Sequence, residues 1–349
     1  MTMNEYKTNL STKSMLRYYF FLVCGCFFAA TSVAQDVVFS QFNALPLQLN
    51  PALTGAALAP RVMIGYRNQW RQLPNGYQTY YVATDDFIAR WNSSIGISAN
   101  SDIQGNGLYS TSSVALHYAY NMPLSQKTFL AMGFEAAATQ TRIHWDKLVF
   151  YDQLSPYGGT TGNASGETAP SVESKWYGDL AFGAIVYSEQ FYGGASVRHL
   201  TSPSANFVAT QTAFTALPMR LTVHGGMILP IAQSNFRKNN HEYYLSPNIL
   251  IASQGQFLQA TAGINARLGA INIGTYVRAT PQNLDAFILQ LGFQVDVFRL
   301  GYSYDSMLST LGNVGGTHEI SLTFNMGDSE AWQKQHKQRS YNNCMRLFR

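Results

Sequence analysis

Charge is what this chain has least of: only 12% of its 349 residues are Asp, Glu, Lys or Arg, against roughly 25% in ordinary soluble domains. Cysteine is nearly absent. Of three, Cys24 and Cys26 lie in an N-terminal apolar run and only Cys344 stands downstream, so neither a disulfide framework nor a zinc–thiolate site can be built. After the N-terminus no stretch reaches the roughly 18 uninterrupted apolar residues of a membrane helix, so any spanning structure downstream must be made of strands. The basic residues are scattered, without the aromatic-interleaved stripe that nucleic-acid binding requires. Enzyme motifs are missing as well. His318-Glu319 opens like a zinc-protease motif, but position 322, where the second histidine belongs, is Leu322. Gly193-Gly194 and Gly315-Gly316 lack the spacing of a nucleotide loop. His117, His144, His199, His224, His241 and His318 come with no nucleophile motif. Catalytic, cofactor-binding and metal-binding residues are therefore all expected to be none, and the protein non-enzymatic.

Aromatic residues are plentiful at 13%, with 21 Tyr and 21 Phe, a balance suited to a surface facing lipid. The first residues carry Lys7, Lys13 and Arg17, then an apolar run from Tyr18 to Ala30, then Ser32-Val33-Ala34. That order is a secretory signal, with cleavage expected after Ala34, and the run is short for a retained anchor. Removing residues 1–34 takes away three basic residues and Glu5, lowering the formal charge from +4 to +2.

From Arg61 onward, apolar and polar residues alternate in stretches of about ten, the length of a tilted membrane strand. Leu258, Ala260, Ala262, Ile264, Ala266 and Leu268 share one face, and Gln259, Thr261, Gly263, Asn265 and Arg267 the other. The same split runs through Phe287, Leu289, Leu291, Phe293 and Val295, and through Leu221, Val223 and Met227. The pattern predicts an all-β fold, a transmembrane antiparallel β-barrel of about 14 strands over residues 61–325, with both termini periplasmic. Twelve or sixteen strands stay open, because Pro247 falls inside the ninth strand and cannot donate to a ladder. A soluble β-sandwich or propeller would alternate too. Against it stand the signal, the inward charges Glu135, Asp179, Arg220 and Arg267, and aromatics near strand ends. Tyr118, Tyr120, Trp176, Tyr177, Tyr243, Tyr244, Tyr302 and Tyr304 would form interfacial girdles.

The longest connections, 143–174 and 201–218, fall on the expected outer side. Trp145, Phe150, Tyr151 and Tyr157, set among Gly and Ser, are candidate contacts for a cargo protein or else ordinary interface aromatics. Two segments flank the barrel. Residues 35–60 are too irregular for a strand and too aromatic for a linker, with Pro46, Asn50-Pro51 and Gly55 as turn signals. They read as a periplasmic lead-in, a lumen plug or a partner-docking motif, with Phe39, Gln41, Phe42, Asn50 and Pro51 as its candidate residues. Residues 326–349 form a basic periplasmic tail: Lys334, Lys337, Arg339, Arg346 and Arg349 against Asp328 and Glu330.

Three stretches together resemble the PorP/SprF family of the type IX, or Por, secretion system of Bacteroidetes. The first is Asp36 to Gly55, with Phe39-Ser40-Gln41-Phe42, Pro46-Leu47 and Asn50-Pro51-Ala52. The second is Tyr66-Arg67-Asn68-Gln69-Trp70 followed by Tyr77 to Asp85. The third is Gly301-Tyr302-Ser303-Tyr304-Asp305, Leu311-Gly312 and Thr317 to Leu322. Phe42 stands where members often carry Tyr. The resemblance implies an integral outer-membrane protein of a Gram-negative cell, without cofactors, that helps secrete, localise or anchor a cargo protein at the cell surface. Its implied partners are outer-membrane lipid, other type IX secretion components and secreted or surface cargo with a C-terminal sorting domain, in some members a gliding adhesin. The alternating strands alone would equally suit a diffusion channel or substrate-specific porin.

Overall fold

The computed structural model describes residues 36–73, 76–170, 172–204, 207, 216–232, 243–308, 315–329, 332 and 348. The expected signal, residues 1–34, lies outside them, as does His241. The strands are β1 (Arg61–Gln69), β2 (Tyr77–Ile88), β3 (Ser93–Gln104), β4 (Tyr109–Pro123), β5 (Thr128–Ile143), β6 (Ser174–Ser188) and β7 (Phe191–Arg198). Then come β8 (Arg220–Met227), β9 (Leu229–Ala232), β10 (Tyr243–Gln254), β11 (Phe257–Leu268), β12 (Ile271–Ala279), β13 (Leu284–Val295), β14 (Phe298–Met307) and β15 (Thr317–Asn325).

Each strand pairs antiparallel with its neighbours, and β1 pairs with β15 from Arg61↔Asn325 to Gln69↔Thr317, which closes the sheet. The result is a closed antiparallel barrel of fourteen staves, because β8 and β9 both pair with β10 and form one stave interrupted at Ile228. Closure through β1 and β15 removes the open sheet edge that a bilayer does not tolerate, and among the described strands only the short β9 has a single partner, β10. The interruption accounts for Pro247. This proline sits in β10 between the part paired with β8 and the part paired with β9, where the ladder is interrupted and a missing N–H is tolerated. At the same interruption, the Ile228 N–H turns away to the Gln190 carbonyl at 2.7 Å.

The two faces are inverted relative to a soluble protein. On β15, Glu319 is 1% exposed while its neighbour Ile320 is 48% exposed. Arg61, Arg67, Asp85, Glu135, Asp179, Arg220, Arg278 and Asp305 are likewise buried inside, whereas Val62, Ile64, Val82, Ile97, Leu116, Val223, Leu289 and Leu322 are exposed outside. Period two therefore corrects part of the expected aromatic girdle. Tyr118, Tyr120, Trp176, Tyr243 and Tyr302 face outward, but Tyr244 is buried in the lumen, and Tyr177 shares the inward parity of Asp179.

Connections 144–173 and 199–219 lie at one end, the long-loop rim. Two-residue turns at 189–190, 269–270 and 296–297 lie at the other, the short-turn rim, with Gly269 (φ 67°) and Asp296 (φ 50°) in the left-handed conformation tight turns demand. Both β1 and β15 meet the short-turn rim, where Arg61 pairs with Asn325.

Candidate functional site

The interior is filled by the chain itself. Phe39, Phe42, Leu45, Leu47, Leu49, Asn50, Ala52, Leu53 and Thr54 are all buried, although the segment carrying them belongs to no strand. Local signals make it compact. Pro46 opens a helical turn over Pro46–Leu49, with no N–H to lose there. The Asn50 side chain then accepts the Ala52 N–H at 2.9 Å, capping a second turn over Pro51–Leu53. Gly55, at φ 69°, turns the chain toward β1.

A buried backbone must find hydrogen-bond partners, and here the barrel wall supplies them. Glu319 accepts the N–H groups of Ser40 (2.8 Å) and Gln41 (2.9 Å) while paired with Arg67. The Ser40 hydroxyl donates to Asp305 at 2.6 Å, Asp305 pairs with Arg278 at 2.9 Å, and Gln290 donates to the Ser40 carbonyl at 2.7 Å. The Asn50 amide reaches the carbonyls of Ala184 and Ala195 (3.2 and 3.1 Å) and Nε2 of His224 (3.1 Å). Asp85 accepts the Gly55 N–H at 2.7 Å and holds the Arg61 guanidinium through both oxygens. Arg198 donates to the Leu47 carbonyl at 2.9 Å and pairs at 2.5 Å with Glu135.

At the long-loop rim, both ring nitrogens of His199 face carboxylates, Nδ1 to Asp179 (2.8 Å) and Nε2 to Asp36 (2.7 Å), and Arg220 stands 3.5 Å from Asp36. Burial works against charge on His199, but the carboxylates outweigh it and raise its pKa to about 9. Burial likewise opposes the Asp36 charge; His199 and the arginines overcome it and hold the carboxyl well below its usual range.

Shape complements this chemistry. Gly133 and Gly183 face each other across β5 and β6, and a Cβ on Gly133 would come within 2.3 Å of the Ala52 nitrogen. The turn Asn50-Pro51-Ala52 occupies this notch. Apolar contacts complete the packing, with Phe42 edge-on to Tyr276 at 5.7 Å and Phe39 to Tyr81 at 6.3 Å. Phe348, in the tail expected to be polar, is also buried inside: its ring lies 4.9 Å from Tyr192, and Arg61 donates to its carbonyl.

All five residues singled out in the N-terminal segment, Phe39, Gln41, Phe42, Asn50 and Pro51, thus lie in the lumen and are buried. The four loop aromatics separate into two pairs. Trp145 and Phe150 pack against each other, ring centroids 4.8 Å apart and planes tilted by 41°, whereas Tyr151 and Tyr157 are 91% and 99% exposed. The loop has its own framework, with Asp152 accepting from the Gly166 N–H (2.6 Å) and the Ser165 hydroxyl; these bonds, Gly166 first, lower its pKa.

Sequence reasoning missed most of the wall partners, because Glu319, Asp305, Arg278, Arg67 and Asp85 are scattered along the chain and only strand register brings them together. It named His117 among the histidines and Glu135 among the inward charges, but missed Ser98 and the alignment of the three. Register lines them up like a nucleophile, base and acid, with the Ser98 hydroxyl 2.7 Å from His117 Nε2 and His117 Nδ1 3.4 Å from Glu135. Glu135 is engaged by Arg198, however, and all three are buried, so the row works as a polar strut from the wall to the Leu47 carbonyl.

No curated protein matches the chain. Solved barrels resemble it at low identity. The Ralstonia pickettii toluene transporter TbuX is 10% identical with a TM-score of 0.46, covering 84% of this chain and 94% of that one. A mutant Rh. blastica porin is 7% identical with a TM-score of 0.33 (76% and 98% covered), and the KdgM porin in complex with disordered oligogalacturonate is 7% identical with a TM-score of 0.32 (75% and 98%). The sequence model described as type IX secretion system membrane protein PorP/SprF matches residues 31–324, from the threshold of the luminal segment to the last stave. A match of that extent shows that the chain belongs to the PorP/SprF family of type IX secretion system membrane proteins.

Proposed function

We propose that this protein is an outer-membrane component of the type IX system that holds a cargo protein at the cell surface, rather than a conduit for solutes. Its long loops face the exterior and its short turns the periplasm, where it meets other secretion components. The cargo carries a C-terminal sorting domain, and a gliding adhesin is one candidate. The observation carrying this reading is the occupied lumen. A diffusion channel needs a continuous column of water, whereas here five wall clusters bind the segment from Asp36 to Gly55. The role is one of binding, without catalysis or a cofactor.

The exposed Tyr151 and Tyr157 support a protein-binding role for loop 144–173, since rigid aromatic side chains on an ordered loop give large contact area at small entropic cost. Deleting residues 150–170 tests this. The variant is expected to insert normally, with unchanged heat-modifiable migration, while its cargo is released into the medium. Undiminished surface display of the cargo would contradict the assignment.

A further inference from the structure

Where β1 to β4 meet the long-loop rim, the outer wall is graded in chemistry. Strand register stacks three outward rows there. The lowest is apolar: Ile64 pairs with Val82, Val82 with Ala99 and Ala99 with Val114, and Ile64, Val82 and Val114 are exposed. One step nearer the rim stand Tyr66 and Tyr80, ring centroids 5.1 Å apart, then Ser101 and Ser112, whose hydroxyls lie 3.0 Å apart. The third row brings Asn68 beside Gln78 and Gln78 beside Ile103, and the Tyr80 hydroxyl donates to Gln78 at 3.2 Å, tying the aromatic row to the amide row. Asn68, Gln78 and Ile103 line a cavity of about 300 Å³ together with Arg71 and Asn106, which stand on the turns 70–76 and 105–108. The Lys147 ammonium donates to the Asn106 carbonyl at 3.2 Å, and a Cβ on the lining residue Gly107 would stand 2.8 Å from it. None of the lining residues is acidic. Asp146, next to Lys147 in the chain, is exposed, and among the described residues neither Arg71 nor Lys147 belongs to an ion pair. Asp152, in the same long loop, is turned to Gly166 and Ser165.

We propose that this cavity seats the phosphorylated sugar headgroup of an outer-leaflet lipid. The rows fit such a molecule in order. Acyl chains lie along Ile64, Val82 and Val114, and the tyrosine pair takes the level at which hydrocarbon gives way to polar groups. The Asn68 and Gln78 amides offer donors and acceptors to sugar hydroxyls. Phosphate oxygens meet the Arg71 guanidinium, whose planar fork suits them, and the Lys147 ammonium beside it. A free phosphate would find the same two cations but would leave the apolar and aromatic rows beneath them unused. The outer leaflet as source rests on the long loops facing the exterior, and the test separates the two.

The purified full-length protein in detergent is offered lipid A, a phosphorylated disaccharide lipid, then its dephosphorylated form, then inorganic phosphate, and bound molecules are read by native mass spectrometry. Lipid A should be retained, and Arg71→Gln combined with Lys147→Gln should weaken its binding by about tenfold or more, the loss expected when charge-assisted bonds are removed. Arg90→Gln, which changes an exposed arginine on the turn between β2 and β3 at the opposite rim, should leave binding unchanged. Heat-modifiable migration verifies that each variant is folded. Equal retention of lipid A by the double variant and the unmodified protein, equal retention of the dephosphorylated lipid, or an equal loss in Arg90→Gln overturns the proposal. Inorganic phosphate bound as tightly as lipid A overturns the lipid as occupant. In a separate arm, Tyr157→Cys in a Cys344→Ser background is expected to react with a membrane-impermeant maleimide in intact cells. Reaction only after permeabilisation, with lipid A still retained by the purified protein, overturns the outward orientation and the outer-leaflet source, and leaves the chemistry of the cavity standing.

Discussion

A Cβ on Gly183 would stand 1.9 Å from Oδ1 of Asn50. The wall of β6 and the corner of the luminal segment are thus fitted to within a methyl group. Gly183→Ala is expected to destabilise the folded barrel by about 1–3 kcal/mol, the usual cost of overpacking a fitted interior. Gly193→Ala is the control, because a Cβ there meets nothing within 4 Å. Urea midpoints of the two variants in the same detergent check this; equal midpoints would mean that the notch does not hold the segment.

Glu319 concentrates three obligations: two backbone N–H groups of the luminal segment and the guanidinium of Arg67. Glu319→Ala leaves a buried cation without its carboxylate, a loss on the order of 3–5 kcal/mol. Arg67 retains the 3.9 Å approach to Asp305 and a 3.2 Å bond to the Gln69 side chain, which accepts from it. The segment should then loosen before the wall does, since the β1–β15 ladder is made by backbone. Limited proteolysis is expected to cut near residue 40 in Glu319→Ala while the strands stay protected.

The rim latch titrates in a defined direction. The folded pKa of His199, about 9, stands above its ordinary 6.5. Its stabilisation is therefore complete below about 6.5 and is lost as the pH rises through about 9. Asp36, held below its ordinary 3.8, fails only under strong acid, as the pH falls through its depressed value. A spin label at Val37→Cys, in the Cys344→Ser background, should be immobile at pH 7 and gain mobility above pH 9. With His199→Gln, that alkaline transition should disappear.

Tyr151 and Tyr157 stabilise nothing in the barrel, being almost wholly exposed. The double substitution to Ala should leave the unfolding midpoint unchanged and weaken cargo binding by tenfold or more, the effect of removing an aromatic anchor worth about 2 kcal/mol. Quantitative pull-down of the cargo with the purified variant measures it. A shifted midpoint would instead assign the tyrosines to the loop's internal framework.

The barrel was legible because a strand facing lipid on one side and a polar lumen on the other writes period two directly into the sequence, as from Leu258 to Leu268. All fourteen staves fall where the alternation places them, and the even number follows from the antiparallel pairing of β1 with β15 that closes the barrel. Tyr244 was misread because aromatics clustered near a strand end look alike until parity is applied. The luminal segment was harder. Its residues 39–42 and 46–52 announce turns and apolar anchors, but nothing local says that Ser40 will meet Glu319, 279 positions away. The polar wall is set by register across neighbouring strands, and each of its members, taken alone, reads as a solitary charge in a barrel lumen.

The central claim is a barrel closed by its own chain. Single-channel recording of the purified full-length protein in planar bilayers tests it most directly. The expected trace is flat, without stable conductance steps at neutral pH, and steps should appear in Glu319→Ala. Large, long-lived open steps in the unmodified protein, unaltered by Glu319→Ala, would mean that the lumen conducts despite residues 36–60, and would contradict the account.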